Sequence, residues 1–209
     1  MKVMTVFAII IGVLALVSVI YLAVMLTNGS RIEKKLVSLL GNRQFKEFEE
    51  LAERPETERY VRPYNLDVLR LNEAMMKKDA KLIDKAFAHF DEVRLNSEQK
   101  EAVYSQAFDY YLATGDKKKT RKYHKAIMEM NPKDPSLKNS IDRMYDIYVK
   151  DGYKYLEDTL EELEQVNEDA VPLLEGMIAS MYKNKGDQEK YQEYKSASEK
   201  HFRELSEKQ

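Results

Sequence analysis

The thirty-four residues Glu101–Asp134, EAVYSQAFDYYLATGDKKKTRKYHKAIMEMNPKD, decide the fold. Tyr104, Ala107, Phe108 and Tyr111 recur at the spacing of one helical stripe. Gly115-Asp116 follows. Glycine tolerates the left-handed conformation that closes a helix, and the aspartate can accept hydrogen bonds from the free amides that open the next one. Beyond this turn, Tyr123, Ile127 and Met130 form a second apolar set, which Asn131-Pro132 ends. The stretch is therefore predicted to be two antiparallel helices joined by a tight turn.

The same punctuation recurs along the chain. Gly152 and Gly186-Asp187 follow Tyr148 and Tyr182 by four residues, as Gly115 follows Tyr111. Fainter marks stand at Gly41-Asn42 and Lys78-Asp79, which gives intervals of 37, 37, 37 and 34 residues. Lys78 lacks the glycine and Tyr153 lacks the aspartate, so those two turns are expected to be looser. Helices are predicted over 3–26, 29–40, 44–54, 65–77, 80–93, 98–113, 117–130, 136–150, 153–166, 169–184 and 188–206. Arg54 to Glu58 reads as a loop, and Ser97 as the signal that opens the helix at 98. Tyr104, Tyr111, Tyr145, Tyr148 and Tyr182 lie at core spacing. Alternating strand patterns are missing, so the expected class is all-α.

Residues 101–134 resemble a tetratricopeptide repeat, through Tyr104, Tyr111, Gly115, Asp116 and Pro132. Phe108, Thr120 and His124 depart from the family pattern. Residues 172–205 match through Ala179, Tyr182, Gly186 and Asp187, and residues 138–171 through Tyr148 and Gly152. The resemblance implies an α-solenoid of helical hairpins over residues 29–209, whose concave face binds a peptide or protein segment. Counted from the repeat starts, that face would carry Asn65, Asn72, Ala102, Ser105, Asp109, Asn139, Asp142, Arg143 and Asp146. The family's lysine clamp for a peptide carboxylate is missing. Asp109, Asp142 and Asp146 would repel an acidic tail, so a basic or neutral segment is the expected partner.

The amino-terminal end decides where this body works. Val3 to Leu26, VMTVFAIIIGVLALVSVIYLAVML, carries no charge. A helix of that length crosses a hydrocarbon core about 30 Å thick. It is longer than a signal peptide's apolar region and ends without an Ala-x-Ala site. Residues 1–28 are therefore predicted to be a single-pass anchor in the cell membrane. Lys2 precedes the run, and Arg31, Lys34, Lys35, Arg43 and Lys46 follow it, a bias that favours a cytoplasmic body. The alternative orientation gives an envelope assembly or secretion factor.

Chemistry is sparse. The chain has no cysteine, which excludes disulfides and thiolate metal sites. His89, His124 and His201 have no metal-site spacing, and the glycines form no phosphate loop. No cofactor or metal is expected, and an all-helical enzyme is the minor alternative. Thirty-four basic residues against thirty-six acidic ones give no general field favouring nucleic acid. Lys117, Lys118, Lys119, Arg121, Lys122 and Lys125 cluster on one helix, and Glu157, Asp158, Glu161, Glu162 and Glu164 form an acidic run read as a solvated face. The expectation is a membrane-anchored adaptor without catalysis that binds a protein partner, with self-association as a further possibility.

Overall fold

The computed structural model describes residue 25 and residues 27–132 and 134–207. These residues form helices joined by short turns, with no strand among them, as the periodicity predicts. Among them no helix is long and apolar enough to cross a membrane. The uncharged run at 3–26 lies outside the described residues except for Met25. The chain forms two compact units that divide between Val93 and Arg94.

The first unit contains α1 (27–41), α2 (Phe45–Ala52), α3 (Pro55–Tyr60), α4 (Pro63–Lys77) and α5 (Ala80–Glu92). Leu36 and Leu40 of α1 pack with Phe48, Leu51 and Ala52 of α2 and with Val61 and Leu66. Leu71 and Ala74 of α4 and Ile83, Phe87 and Phe90 of α5 are also buried. At roughly 25 cal/mol per Å² of apolar surface, each of these larger side chains stabilises the fold by about 1.5–3 kcal/mol. The expected loop at Arg54 to Glu58 is instead the start of α3. Pro55 occupies its first turn, where the missing amide is no loss, and the Thr57 hydroxyl donates to the Leu51 carbonyl at 2.6 Å.

The second unit contains α6 (Ser97–Ala113), α7 (Lys117–Met130), α8 (Pro135–Val149), α9 (Leu156–Leu163), α10 (Val171–Lys185) and α11 (Gln188–Glu207). Helices α6 and α7 pair, as do α10 and α11. Helix α8 packs on both α6 and α7, and α10 packs on both α8 and α9. The Tyr111 ring stacks on Tyr123 across the first pair at 5.7 Å, and Tyr182 stacks on Tyr194 across the last at 5.6 Å. The tyrosine one turn before the glycine thus meets the partner helix in both. The opening of α6 is set by Asn96 rather than Ser97. The Asn96 side chain accepts from the Gln99 amide, and Gln99 accepts from the Asn96 amide, which closes a capping box.

The turns follow one rule more closely than the glycines suggest. Left-handed residues stand in five of the interhelical turns, at Arg43, Lys78, Gly115, Asp151 and Gly186, 35 to 37 residues apart, and a further one, Asn131, closes α7. After four of them the next amide reaches back five residues: Gln44 to Leu39, Asp79 to Ala74, Asp116 to Tyr111 and Asp187 to Tyr182, all at 2.8–3.0 Å. The Lys78 turn is therefore as tight as the glycine turns, contrary to expectation, because the backbone bonds and the Asp79 cap hold lysine in a conformation glycine would adopt freely. Asp79, Asp116 and Asp187 each accept from amides of the following helix. Such caps contribute about 1 kcal/mol each. The first turn is centred on Arg43, two residues past Gly41. In the fourth, Asp151 is left-handed, and the Gly152 amide reaches six residues back, to the Asp146 carbonyl at 2.8 Å. The inward positions of α8 are consequently Ile141, Tyr145 and Ile147, and Tyr148, expected in the core, is exposed.

Candidate functional site

Among the described residues, two of the places that gather chemically active side chains bear on the site. The first is a polar joint in the second unit, where α7, α8 and the entry to α9 meet. The His124 ring lies flat against Tyr145, with centroids 3.7 Å apart, and its Nε2 is 3.1 Å from Asp142 Oδ1. Asp142 Oδ2 accepts from the Tyr155 hydroxyl at 2.6 Å and from Lys154 Nζ at 3.0 Å. Burial alone would raise the Asp142 carboxyl. The bonds from Tyr155, Lys154 and His124 outweigh that effect and hold its pKa at about 2. Burial lowers the pKa of His124, and the hydrogen bond and charge of Asp142 oppose that shift. Next to it, Arg143 donates to Glu162 at 2.5 Å.

Asp146 is buried on the same helix, where its Oδ2 accepts from the Lys154 amide at 3.4 Å. A Cβ on Gly152 would collide with this carboxylate. Glycine is required there for close approach rather than for backbone conformation. Asp142, Arg143 and Asp146 are thus brought together on α8, but their polar atoms meet α7, α9 and the turn between α8 and α9. The inner-face count assigned them outward because it took Gly152 as the equivalent of Gly115, and that equivalence fails by the residue inserted in this turn.

The second place is a cleft of about 410 Å³ in the first unit, between α2, α4 and α5. Ala74, Leu82, Ala86 and Phe90 supply its apolar lining, and Leu82 is 42% exposed. Glu49, Glu53, Asp67, Arg70, Glu73, Lys85 and His89 complete the wall. His89 Nε2 lies 3.1 Å from Asp67 Oδ2. Glu73 is buried, which raises its pKa, while Lys77 opposes the shift by pairing with it at 2.6 Å. Lys77 also reaches Glu49 at 3.5 Å and so ties α4 to α2. The cleft combines donors, acceptors and apolar surface in an open depression, a chemistry suited to holding a side chain of a bound segment.

The remaining groove candidates are dispersed. Asn65 donates to Glu33 of α1 at 2.8 Å, and Asn72 is half-buried on α4. Ala102 is exposed, and the Ser105 hydroxyl oxygen is buried without a hydrogen-bond partner. Asp109 and Asn139 are open to solvent, and the surrounding protein raises the Asp109 carboxyl. Sequence reasoning missed the roles of Lys154, Tyr155 and Glu162, and of the Asp67–His89 pair. Asp67 and His89 lie on the two helices flanking the Lys78-Asp79 mark, so hairpin pairing was the signal that could have joined them. Among the described residues no group of three or more histidine or acidic side chains is arranged to hold a metal ion. No family model, curated protein or solved structure matches this chain.

Proposed function

We propose that the protein is a membrane-anchored adaptor. In this reading residues 3–26 cross the membrane, and the helical body is a tetratricopeptide-like solenoid that binds a protein segment and has no chemistry of its own. The observation that carries it is the recurrence of a left-handed hairpin turn at 43, 78, 115, 151 and 186. Equal spacing of such turns is what stacked hairpins require, because one hairpin cannot bury its stripe alone. The packing of α8 on the α6–α7 pair, and of α10 on both α8 and α9, supports the same reading. Confinement at a membrane raises the effective concentration of a captured partner, so modest affinity suffices.

Each unit offers its own partner surface, the α2–α4–α5 cleft in the first and the exposed positions Asp109 and Asn139 in the second. A photo-crosslinking residue at Leu82 or Asn139, introduced in intact membranes, is expected to capture one protein that the same residue at Lys200 of α11 does not. Identical capture from all three positions, or none from any, would refute the adaptor reading.

A further inference from the structure

The sequence places a run of bases on α7, and the structure shows how they are displayed. Lys118, Arg121, Lys122 and Lys125 follow one another at the i, i+3, i+4, i+7 spacing of a single helical face. All four are exposed, and the Lys125 side chain is 76% open to solvent. The other two bases turn elsewhere: Lys117 pairs with Asp151 at 3.2 Å, and Lys119 with Asp116 at 3.8 Å. The only acid on the helix is Glu129, near its end, 3.6 Å from Lys125. Its apolar residues Tyr123 and Ile127 are buried against the unit. The face therefore offers charge without a hydrophobic wedge and without an exposed aromatic platform for nucleobases.

We infer that this face of α7 rests on the anionic headgroups of the bilayer to which the chain is tethered. The inference depends on the anchor proposed above. The chain as a whole has a net charge of −2, so it has no general attraction to an anionic surface. A local stripe of ammonium and guanidinium groups supplies that attraction, donating hydrogen bonds to headgroup phosphate and carboxylate oxygens. Each base near such a surface improves partition by about fivefold. The acidic residues Glu157, Asp158, Glu161 and Glu164 are exposed on and just after α9 and would be repelled. Contact through α7 would thus fix the orientation of the second unit against the membrane. It would do so reversibly, because salt screens such contacts over about 10 Å at 0.1 M.

The test uses the full chain, one copy per lipid nanodisc, in zwitterionic discs or discs rich in phosphatidylserine. The rates at which Lys118, Lys122 and Lys125 are acetylated are read by mass spectrometry against Lys195 and Lys200 of α11. Anionic lipid is expected to slow the α7 lysines by about threefold or more. The effect should vanish in high salt and in Arg121→Glu, whose helical signal and melting should be unchanged because the side chain is exposed. Equal rates in the two lipids would overturn the proposal. So would protection in zwitterionic discs by inorganic phosphate alone, which would mark a small-anion site. Protection that appears only with two copies per disc would overturn it too, assigning the face to a second chain. Failure of the anchor reads differently, as loss of the chain from zwitterionic discs rather than as a retained chain with reactive lysines.

Discussion

Replacing Asp142 with asparagine tests the polar joint directly. The carboxylate receives the Tyr155 hydroxyl, Lys154 Nζ and His124 Nε2 between 2.6 and 3.1 Å. An amide of the same shape keeps one acceptor and turns a donor towards one of these groups. The folded pKa of about 2 compares with an ordinary value of 3.8. At about 1.4 kcal/mol per unit this difference amounts to roughly 2 kcal/mol at neutral pH, with some screening because the carboxylate is partly exposed. For a chain of this size that is a fall of about 4–8 °C in melting temperature. The folded carboxyl gives up its proton at lower pH than the unfolded one. Its contribution is therefore complete above about pH 4 and is lost as pH falls through about 2. Melting followed by the helical circular-dichroism signal of the full chain in mild detergent should show Asp142→Asn well below wild type at pH 7. The two curves should converge near pH 2. A gap of equal size at both pH values, or one under about 0.5 kcal/mol at pH 7, would refute the assignment of a stabilising charge to this joint.

Two further changes probe packing. Tyr111→Ala removes a ring that is 3% exposed and stacked on Tyr123, and is expected to destabilise by about 3–5 kcal/mol in denaturant titration. A loss near zero would mean that this ring does not hold α6 to α7. Gly152→Ala drives a methyl group into the Asp146 carboxylate and should destabilise by about 1–3 kcal/mol. Made in an Asp146→Ala background, the same change should be nearly neutral, and additive losses in a double-mutant cycle would show that the collision is relieved elsewhere.

The hairpins were legible wherever turn chemistry is carried by a glycine. Gly115-Asp116 and Gly186-Asp187, with Tyr111 and Tyr182 before them, announce both the left-handed residue and the cap. The Lys78 turn was legible in position but not in tightness, because its Asp79 cap shows in sequence while backbone bonding does not. Arg43 and Asp151 give no such signal, since neither is a glycine and neither is followed by a capping aspartate. Prolines were under-read in a consistent way. Pro55, Pro63, Pro135 and Pro172 all lie in first helical turns, where the fixed φ favours helix, so α3 stands where a loop was expected and α4 begins earlier than the apolar pattern alone implies. The groove residues on α8 were assigned by counting across a turn one residue longer than its neighbours. An error of that size rotates a helical residue by about 100° and changes which helix it faces. The cleft was less legible still, because it depends on how α2 approaches α4 and α5.

The amide of Asn184, on α10, donates to the carbonyls of Ile147 and Gly152, both at 2.9 Å. Ile147 and Leu156 likewise find their cover in Leu174, Ile178 and Met181. The fourth hairpin of the body therefore finishes neither its polar end nor its apolar flank with residues of its own. As the chain leaves the ribosome from its amino terminus, α8 and α9 emerge before the groups that complete them. That hairpin must wait, greasy and uncapped, until the following helix is synthesised, and a nascent chain stalled before Asn184 would present this segment to chaperones.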